Sequence, residues 1–135
     1  MCLAGASGAG ADLLAAITDA PLRVHYAWLP MLPSDTQTAA QAASERFAEP
    51  RAIHHWDAER HLSRRLATAL AIDTRRSAAP GDDPPFAWDI YLAYQRGNGN
   101  TTAPNLWMHQ LAIDHAPRLD AAEWRRCLQE MIDAE

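Results

Sequence analysis

The thiol groups are the first candidates for chemistry, because a thiolate is both a nucleophile and a metal ligand. The chain of 135 residues holds two cysteines, Cys2 and Cys127. Cys2 precedes a predicted helix, where the positive end of the helix dipole favours the thiolate. Cys127 falls on the apolar side of a predicted terminal helix, where a cysteine is expected to be buried. Cys2 is therefore the candidate catalytic residue, and the alternative is a terminal residue without a chemical role.

Four side chains that can bind a metal ion form a second candidate group: His54, His55, Asp57 and His61. Imidazole and carboxylate groups both bind zinc and similar ions. The spacing matches no short zinc motif, however, and the adjacent His54 and His55 should point in different directions. The alternative is a set of polar residues around the start of a helix. We assign no metal ligand and no cofactor, and keep these four residues as the candidates of a metal-binding alternative.

The charge balance argues against a nucleic-acid partner. The chain carries 12 basic residues, all of them arginine, against 17 acidic residues, which gives a formal net charge of −5. Binding to phosphate groups needs a concentrated basic surface. No stretch approaches the ~18 apolar residues of a membrane helix, and the first residues lack the basic start of a signal peptide. We expect a cytoplasmic protein with neither nucleic acid nor a membrane as its partner.

The first half of the chain predicts alternating helices and a strand. Apolar residues at helical spacing predict a helix within residues 4–18, and alternation predicts a half-buried strand from Leu22 to Trp28. Ser34 followed by Gln37 forms a capping box for the next helix, which should end near Phe47. The segment from Arg51 to Asp57 is ambiguous.

The second half of the chain predicts a helix, a hairpin and a final helix. Asp57 is a candidate N-cap for the helix that precedes a proline-rich loop. Beyond that loop, Trp88 to Tyr94 and Leu106 to Ala112 predict an antiparallel pair of strands, joined by a turn rich in glycine and asparagine. Asp120 begins the terminal helix. We find no internal domain boundary and predict a single domain over residues 1–135.

The order of these elements resembles the thioredoxin-like fold, and four segments are similar to a poorly characterised bacterial group with that fold. The segments are YAWLPMLPSD at Tyr26 to Asp35, HWD at His55 to Asp57, WDIYLAY at Trp88 to Tyr94 and WMHQL at Trp107 to Leu111. The resemblance implies an α/β domain in which helices flank a small mixed sheet. It also implies that the first, central strand is missing ahead of Cys2, which would leave two predicted strands without a neighbour. A ferredoxin-like α+β dimer is the rival architecture.

The resemblance further implies thiol–disulfide exchange, with Cys2 as the reactive residue and a protein or a small thiol as the partner. The C-x-x-C motif of the fold is incomplete here, because Met1 stands directly before Cys2. A non-catalytic binding or assembly domain with an aromatic surface is the alternative function, and metal binding by the histidine and aspartate group is a third. A homodimer is one way to supply the contacts of the missing strand.

Overall fold

The computed structural model describes residues 6–18, 20–73, 85–111 and 113–134 of the chain. The chain divides after His61 into two compact units, and each contains a sheet of two strands. The predicted α/β class is confirmed, since four α-helices accompany the two small sheets in the described residues.

The first unit is built around a β-α-β unit. A π-helix at Ser7–Ala11 continues directly into α1 at Asp12–Ala16. Strand β1 spans Val24–Trp28, helix α2 spans Gln37–Arg46 and strand β2 spans Ala52–Trp56. The two strands pair in parallel, so α2 is the crossover helix that a parallel pair requires.

One face of this first sheet packs against α2. Tyr26 and Trp28 of β1 form a buried cluster with Ala40, Ala43 and Phe47. The alanine side chains allow the helix to approach the sheet closely, and the Phe47 ring lies 5.8 Å from that of Tyr26 and 6.2 Å from that of Trp28. Ala40 and Ala43 are therefore the buried residues of α2, and Phe47 caps its end.

The start of α2 differs from its prediction. Thr36 is the N-cap, and its side-chain oxygen accepts a hydrogen bond from the N–H of the third helical residue. Asp35 accepts hydrogen bonds from the backbone N–H groups of Met31 and Leu32, at 3.1 and 2.9 Å. Because Asp35 holds the loop in this way, the cap predicted at Ser34 is wrong and the helix begins two residues later.

Arg51 connects the N-terminal helix to the start of β2. Its guanidinium group donates hydrogen bonds to the carbonyl oxygens of Leu14 and Ile17, at the end of α1. Carbonyl groups at the end of a helix lack partners within that helix, so this arginine satisfies them. The preceding π-helix also lies against the sheet, since a Cβ atom at Gly10 would overlap the hydroxyl group of Tyr26.

The second unit combines two helices with a β-hairpin. Helix α3 begins at the boundary and spans His61–Ala69, and helix α4 spans Ala121–Asp133. Strands β3 at Ile90–Ala93 and β4 at Leu106–His109 pair antiparallel. The predicted hairpin is confirmed over these residues.

The hairpin contributes to a hydrophobic core through one face and contacts α4 through the other. Three side chains of the first face, Ile90, Leu92 and Trp107, pack against a buried cluster. That cluster consists of Leu66, Ala67, Ile72, Ala87 and Leu111. On the opposite face, the ring of Tyr91 meets Trp124 of α4 edge-on at 6.4 Å.

The predicted start of α4 is confirmed, whereas that of α3 is wrong. Asp120 caps α4 by accepting a hydrogen bond from the N–H of Glu123 at 2.9 Å. Asp57 does not begin α3, because its own N–H continues the parallel ladder to the carbonyl oxygen of Trp28 at 2.8 Å. The helix starts only at His61.

The expectation that two strands lack a neighbour is wrong. Strand β2 occupies the segment whose sequence was ambiguous, and it pairs with β1 along its whole length. Strand β3 pairs with β4. Both predicted strands therefore have a hydrogen-bonding partner without any additional central strand.

Candidate functional site

The register of the first sheet sorts its histidines onto opposite faces. Tyr26 lies opposite His54, and Ala27 lies opposite His55, the next residue of β2. Because successive side chains of a strand alternate between faces, His54 shares the buried face with Tyr26. His25 and His55 share the other face, where both are exposed.

His25 and His55 form a direct imidazole–imidazole contact across the strands. Nδ1 of His25 lies 3.0 Å from Nε2 of His55, and the two ring planes are within 8° of parallel. The ring centroids are 5.3 Å apart, which is about the N···N distance plus the radii of both rings. The centroids reach this separation only when both facing nitrogens lie on the line that joins them. The rings therefore meet edge to edge, and the contact is a nearly linear N–H···N hydrogen bond.

This hydrogen bond constrains the protons of the pair. One of the two facing nitrogens carries a proton and the other presents a lone pair, since an N–H···N bond needs one donor and one acceptor. Burial, together with the nearby charges of His55 and Arg23, lowers the pKa of His25. The pair therefore presents an unprotonated imidazole nitrogen on the open face of the sheet at neutral pH.

His54 belongs to the buried aromatic cluster on the other face. Its ring lies parallel to that of Tyr26 at 4.8 Å, and its Nδ1 accepts a hydrogen bond from Nε1–H of Trp28 at 3.1 Å. An indole nitrogen only donates, so the proton of neutral His54 must be on Nε2. Nε2 is buried without a well-formed hydrogen bond.

The surroundings of His54 favour its neutral form. Burial lowers the pKa of His54, the backbone carbonyl of Phe47 opposes this effect, and the charge of His55 adds to it. A second proton, on Nδ1, would also face the Trp28 N–H and break that hydrogen bond. His54 is therefore a structural residue that aligns β1 with β2, and it holds its neighbour His55 on the exposed face.

Folding stability should consequently decrease in mild acid. The folded-state pKa of His54 is below the value of 6.5 expected for the unfolded chain, so the folded protein binds fewer protons. The contribution is complete above about pH 6.5 and is lost as the pH falls from that value through the lower folded-state pKa. We expect the urea midpoint to fall between about pH 7.5 and about pH 5.5.

A glutamine at position 54 tests this prediction. The glutamine oxygen can accept the Trp28 N–H and does not titrate, so His54→Gln should show a smaller decrease in the urea midpoint. His61→Gln changes an exposed histidine and should keep the wild-type decrease. Identical pH profiles for His54→Gln and the wild type would contradict the assignment.

The structure places the four metal candidates from the sequence in different surroundings. His54 is half-buried against aromatic rings, His55 pairs with His25, Asp57 follows β2, and His61 begins α3. Among residues 6–18, 20–73, 85–111 and 113–134, no group of three or more histidine, cysteine, aspartate or glutamate side chains is arranged to hold a metal ion.

Sequence reasoning missed His25 as a partner of His55. The alternation over Leu22 to Trp28 placed His25 on the polar face of a strand, but the parallel partner strand was not assigned. Recognition of Ala52–Trp56 as that partner would have brought the two histidines to one face.

The described part of the chain contains no cysteine with the properties of a reactive thiol. Cys2 lies outside the described residues. Cys127 lies within α4, where burial and then the neighbouring Glu123 carboxylate raise its pKa. A raised pKa disfavours the thiolate, so Cys127 has the properties of an unreactive cysteine.

The second unit contains one further histidine of note, which is fully buried. His109 is 0% exposed, and its Nε2–H donates a hydrogen bond to the carbonyl oxygen of Ala116 at 2.8 Å. Its Nδ1 has no hydrogen-bond partner. The backbone of His109 also bonds Pro117 and Leu119, so this residue fastens the segment after β4 to the strand. Its role is structural.

Comparison of the chain with protein-family models, curated proteins and solved structures finds no match. Within the described parts of the chain, no helix combines the length and the apolar character needed to cross a membrane. Function therefore has to be argued from the site itself, and the His25–His55 pair is the arrangement with the most specific chemistry.

Proposed function

We propose that the protein is a binding domain for a divalent transition-metal ion, with His25 and His55 as its ligands. The observation that carries the proposal is the 3.0 Å separation of their facing nitrogens on an exposed sheet face. An ion with metal–nitrogen distances of about 2.05 Å holds two ligand nitrogens about 2.9 Å apart at a right angle and about 3.3 Å apart at the tetrahedral angle. The observed separation lies within that range.

Binding requires only a local change in the pair. In the hydrogen-bonded pair, the proton of one facing nitrogen occupies the space between the rings. Movement of that proton to the outer nitrogen of the same ring frees both facing lone pairs without changing the charge of the protein. The rings must then tilt so that the lone pairs converge on one ion. Both side chains are exposed, so the tilt meets little resistance from neighbours.

The donor set selects the class of ion. Imidazole nitrogen suits zinc, copper and nickel, whereas magnesium and calcium prefer oxygen ligands. Copper(II) should bind most tightly among these ions, as expected for nitrogen ligands in general. The two strands hold both ligands through backbone hydrogen bonds, which reduces the entropy lost when the ion binds.

We propose that the chain has a thioredoxin-like fold but does not carry out the redox chemistry of that fold. A parallel β1-α2-β2 unit, followed by α3 and then by an antiparallel hairpin and a terminal helix, agrees with the element order of that fold. The resemblance places the reactive thiol at Cys2, and the two cysteines of the chain, Cys2 and Cys127, form no C-x-x-C motif. A binding function therefore has more support than thiol–disulfide exchange.

Titration of the metal-free protein with Ni²⁺, Zn²⁺ and Cu²⁺ tests the proposal. Loss of a group that hydrogen-bonds a metal ligand already weakens metal binding by about 10–100-fold, so removal of a ligand in His25→Ala or His55→Ala should weaken it by at least about tenfold. His61→Ala is the matched control, because it removes an exposed histidine outside the pair. Calorimetry gives the affinities, and circular dichroism checks that the variants are folded.

Electron paramagnetic resonance of the Cu²⁺-loaded protein identifies the ligands directly. We expect at least two coordinated imidazole nitrogens in the wild type and in His61→Ala, and fewer in either pair variant. Equal affinities for the wild type and for both pair variants, or coordination without imidazole, would overturn the proposal.

A further inference from the structure

We infer that a second copy of this chain completes the metal site, so that His25 and His55 of two copies surround one tetrahedral ion. This inference rests on the proposed function. Its starting point is the number of ligands, because a structural zinc site almost always has four protein ligands and this face supplies two. Among the described residues no third histidine, cysteine, aspartate or glutamate joins the pair.

The other side chains on the same sheet face cannot supply the missing ligands. Alternation places Ala27 and Ile53 beside the histidines, and both are hydrocarbon side chains. Arg23 precedes β1 on that face, and its guanidinium group has no lone pair to donate. Asp57 follows β2 in the same alternation, but it forms no group of three metal-binding side chains with the histidine pair. One copy alone must therefore leave half of the coordination sphere to water.

A second copy offers the missing pair in matching geometry. A two-fold axis through the ion places the same surface of each copy against the other, as in isologous dimers. Sheets that pack face to face lie about 10 Å apart, so side chains from both sheets meet midway between them. The face is exposed at Ala27 and half-buried at Ile53, and contact between copies would remove this apolar surface from water.

Sedimentation equilibrium and metal analysis together test the inference. With Zn²⁺ at micromolar protein concentration, we expect the mass of two chains and one zinc ion per two chains. Excess EDTA should return the mass of one chain. His25→Ala and His55→Ala should stay monomeric with Zn²⁺, whereas His61→Ala should dimerise as the wild type does.

A substitution that blocks the face without removing a ligand separates the two proposals. Ala27→Arg places a bulky cation opposite its own copy at the two-fold axis, so it should bind one zinc ion per chain and remain monomeric. Dimers of Ala27→Arg, or dimers of the wild type in EDTA, would overturn the inference. Monomeric wild type with one zinc ion per chain would overturn it while leaving the proposed function intact. Absence of zinc binding would overturn both.

Discussion

Replacement of His109 by alanine should lower the free energy of unfolding by about 3 kcal/mol. The side chain is 0% exposed, and its truncation leaves a cavity that the surrounding core fills only in part. The carbonyl group of Ala116 also loses its 2.8 Å hydrogen bond from Nε2. A buried polar group without a partner adds a cost of its own. Urea unfolding followed by tryptophan fluorescence measures the change, since Trp107 lies 6.1 Å from the His109 ring.

Leucine at the same position separates the volume of His109 from its hydrogen bond. His109→Leu fills much of the space and removes the buried Nδ1 atom that has no partner. It still leaves the Ala116 carbonyl group unpaired, so we expect a loss of about 1 kcal/mol. A loss within about 0.5 kcal/mol for His109→Ala would contradict the prediction that this residue fastens the segment after β4.

The elements that sequence reasoning predicted correctly are those with local signals. The alternation from Trp88 to Tyr94 and the turn that follows it define the hairpin without reference to distant residues. Asp120 likewise caps α4 through a hydrogen bond to Glu123, three positions away. In both cases the interaction that fixes the structure joins residues that are close in the sequence.

Strand β2 escaped prediction because its stabilising contacts are distant. The adjacent His54 and His55 give Ala52–Trp56 no clear apolar alternation. His54 is compatible with a buried face only because Trp28, 26 positions earlier, donates a hydrogen bond to it. Asp57 was predicted as a helix cap because its actual partner is also distant in the sequence. Its N–H donates a hydrogen bond to the carbonyl group of Trp28.

The candidate site depends on this distant pairing even more strongly. His25 and His55 are 30 positions apart, and they meet only in the observed register. A slip of one residue would turn every side chain of β2 to the opposite face and exchange His54 with His55. The sequence supplied the right residue types and placed His25 on a polar strand face, but the register that makes them a pair comes from the packing of the sheet on α2.

Trp28→Ala should consequently have a large effect on both stability and the proposed site. The side chain is 7% exposed, and its loss removes the contact with Phe47 as well as the hydrogen bond to His54. We expect the free energy of unfolding to fall by about 4 kcal/mol, near the middle of the range for large aromatic truncations. At the low end of the roughly 5–15 kcal/mol of total stability that domains have, only about 1 kcal/mol would remain, so part of the protein would be unfolded in water.

Phenylalanine at position 28 isolates the role of the indole N–H. Trp28→Phe keeps an aromatic ring against Phe47 but leaves Nδ1 of His54 without its donor, so the loss should be about 1–2 kcal/mol. Zn²⁺ affinity should follow the same order, because β1 and β2 must stay in register for His25 and His55 to meet. We expect affinity close to that of the wild type for Trp28→Phe and a clear reduction for Trp28→Ala, measured by calorimetry below the unfolding midpoint of each variant. If the destabilised Trp28→Ala kept the wild-type Zn²⁺ affinity, binding would not depend on the alignment of β1 with β2. The ion would then bind at a site other than the His25–His55 pair.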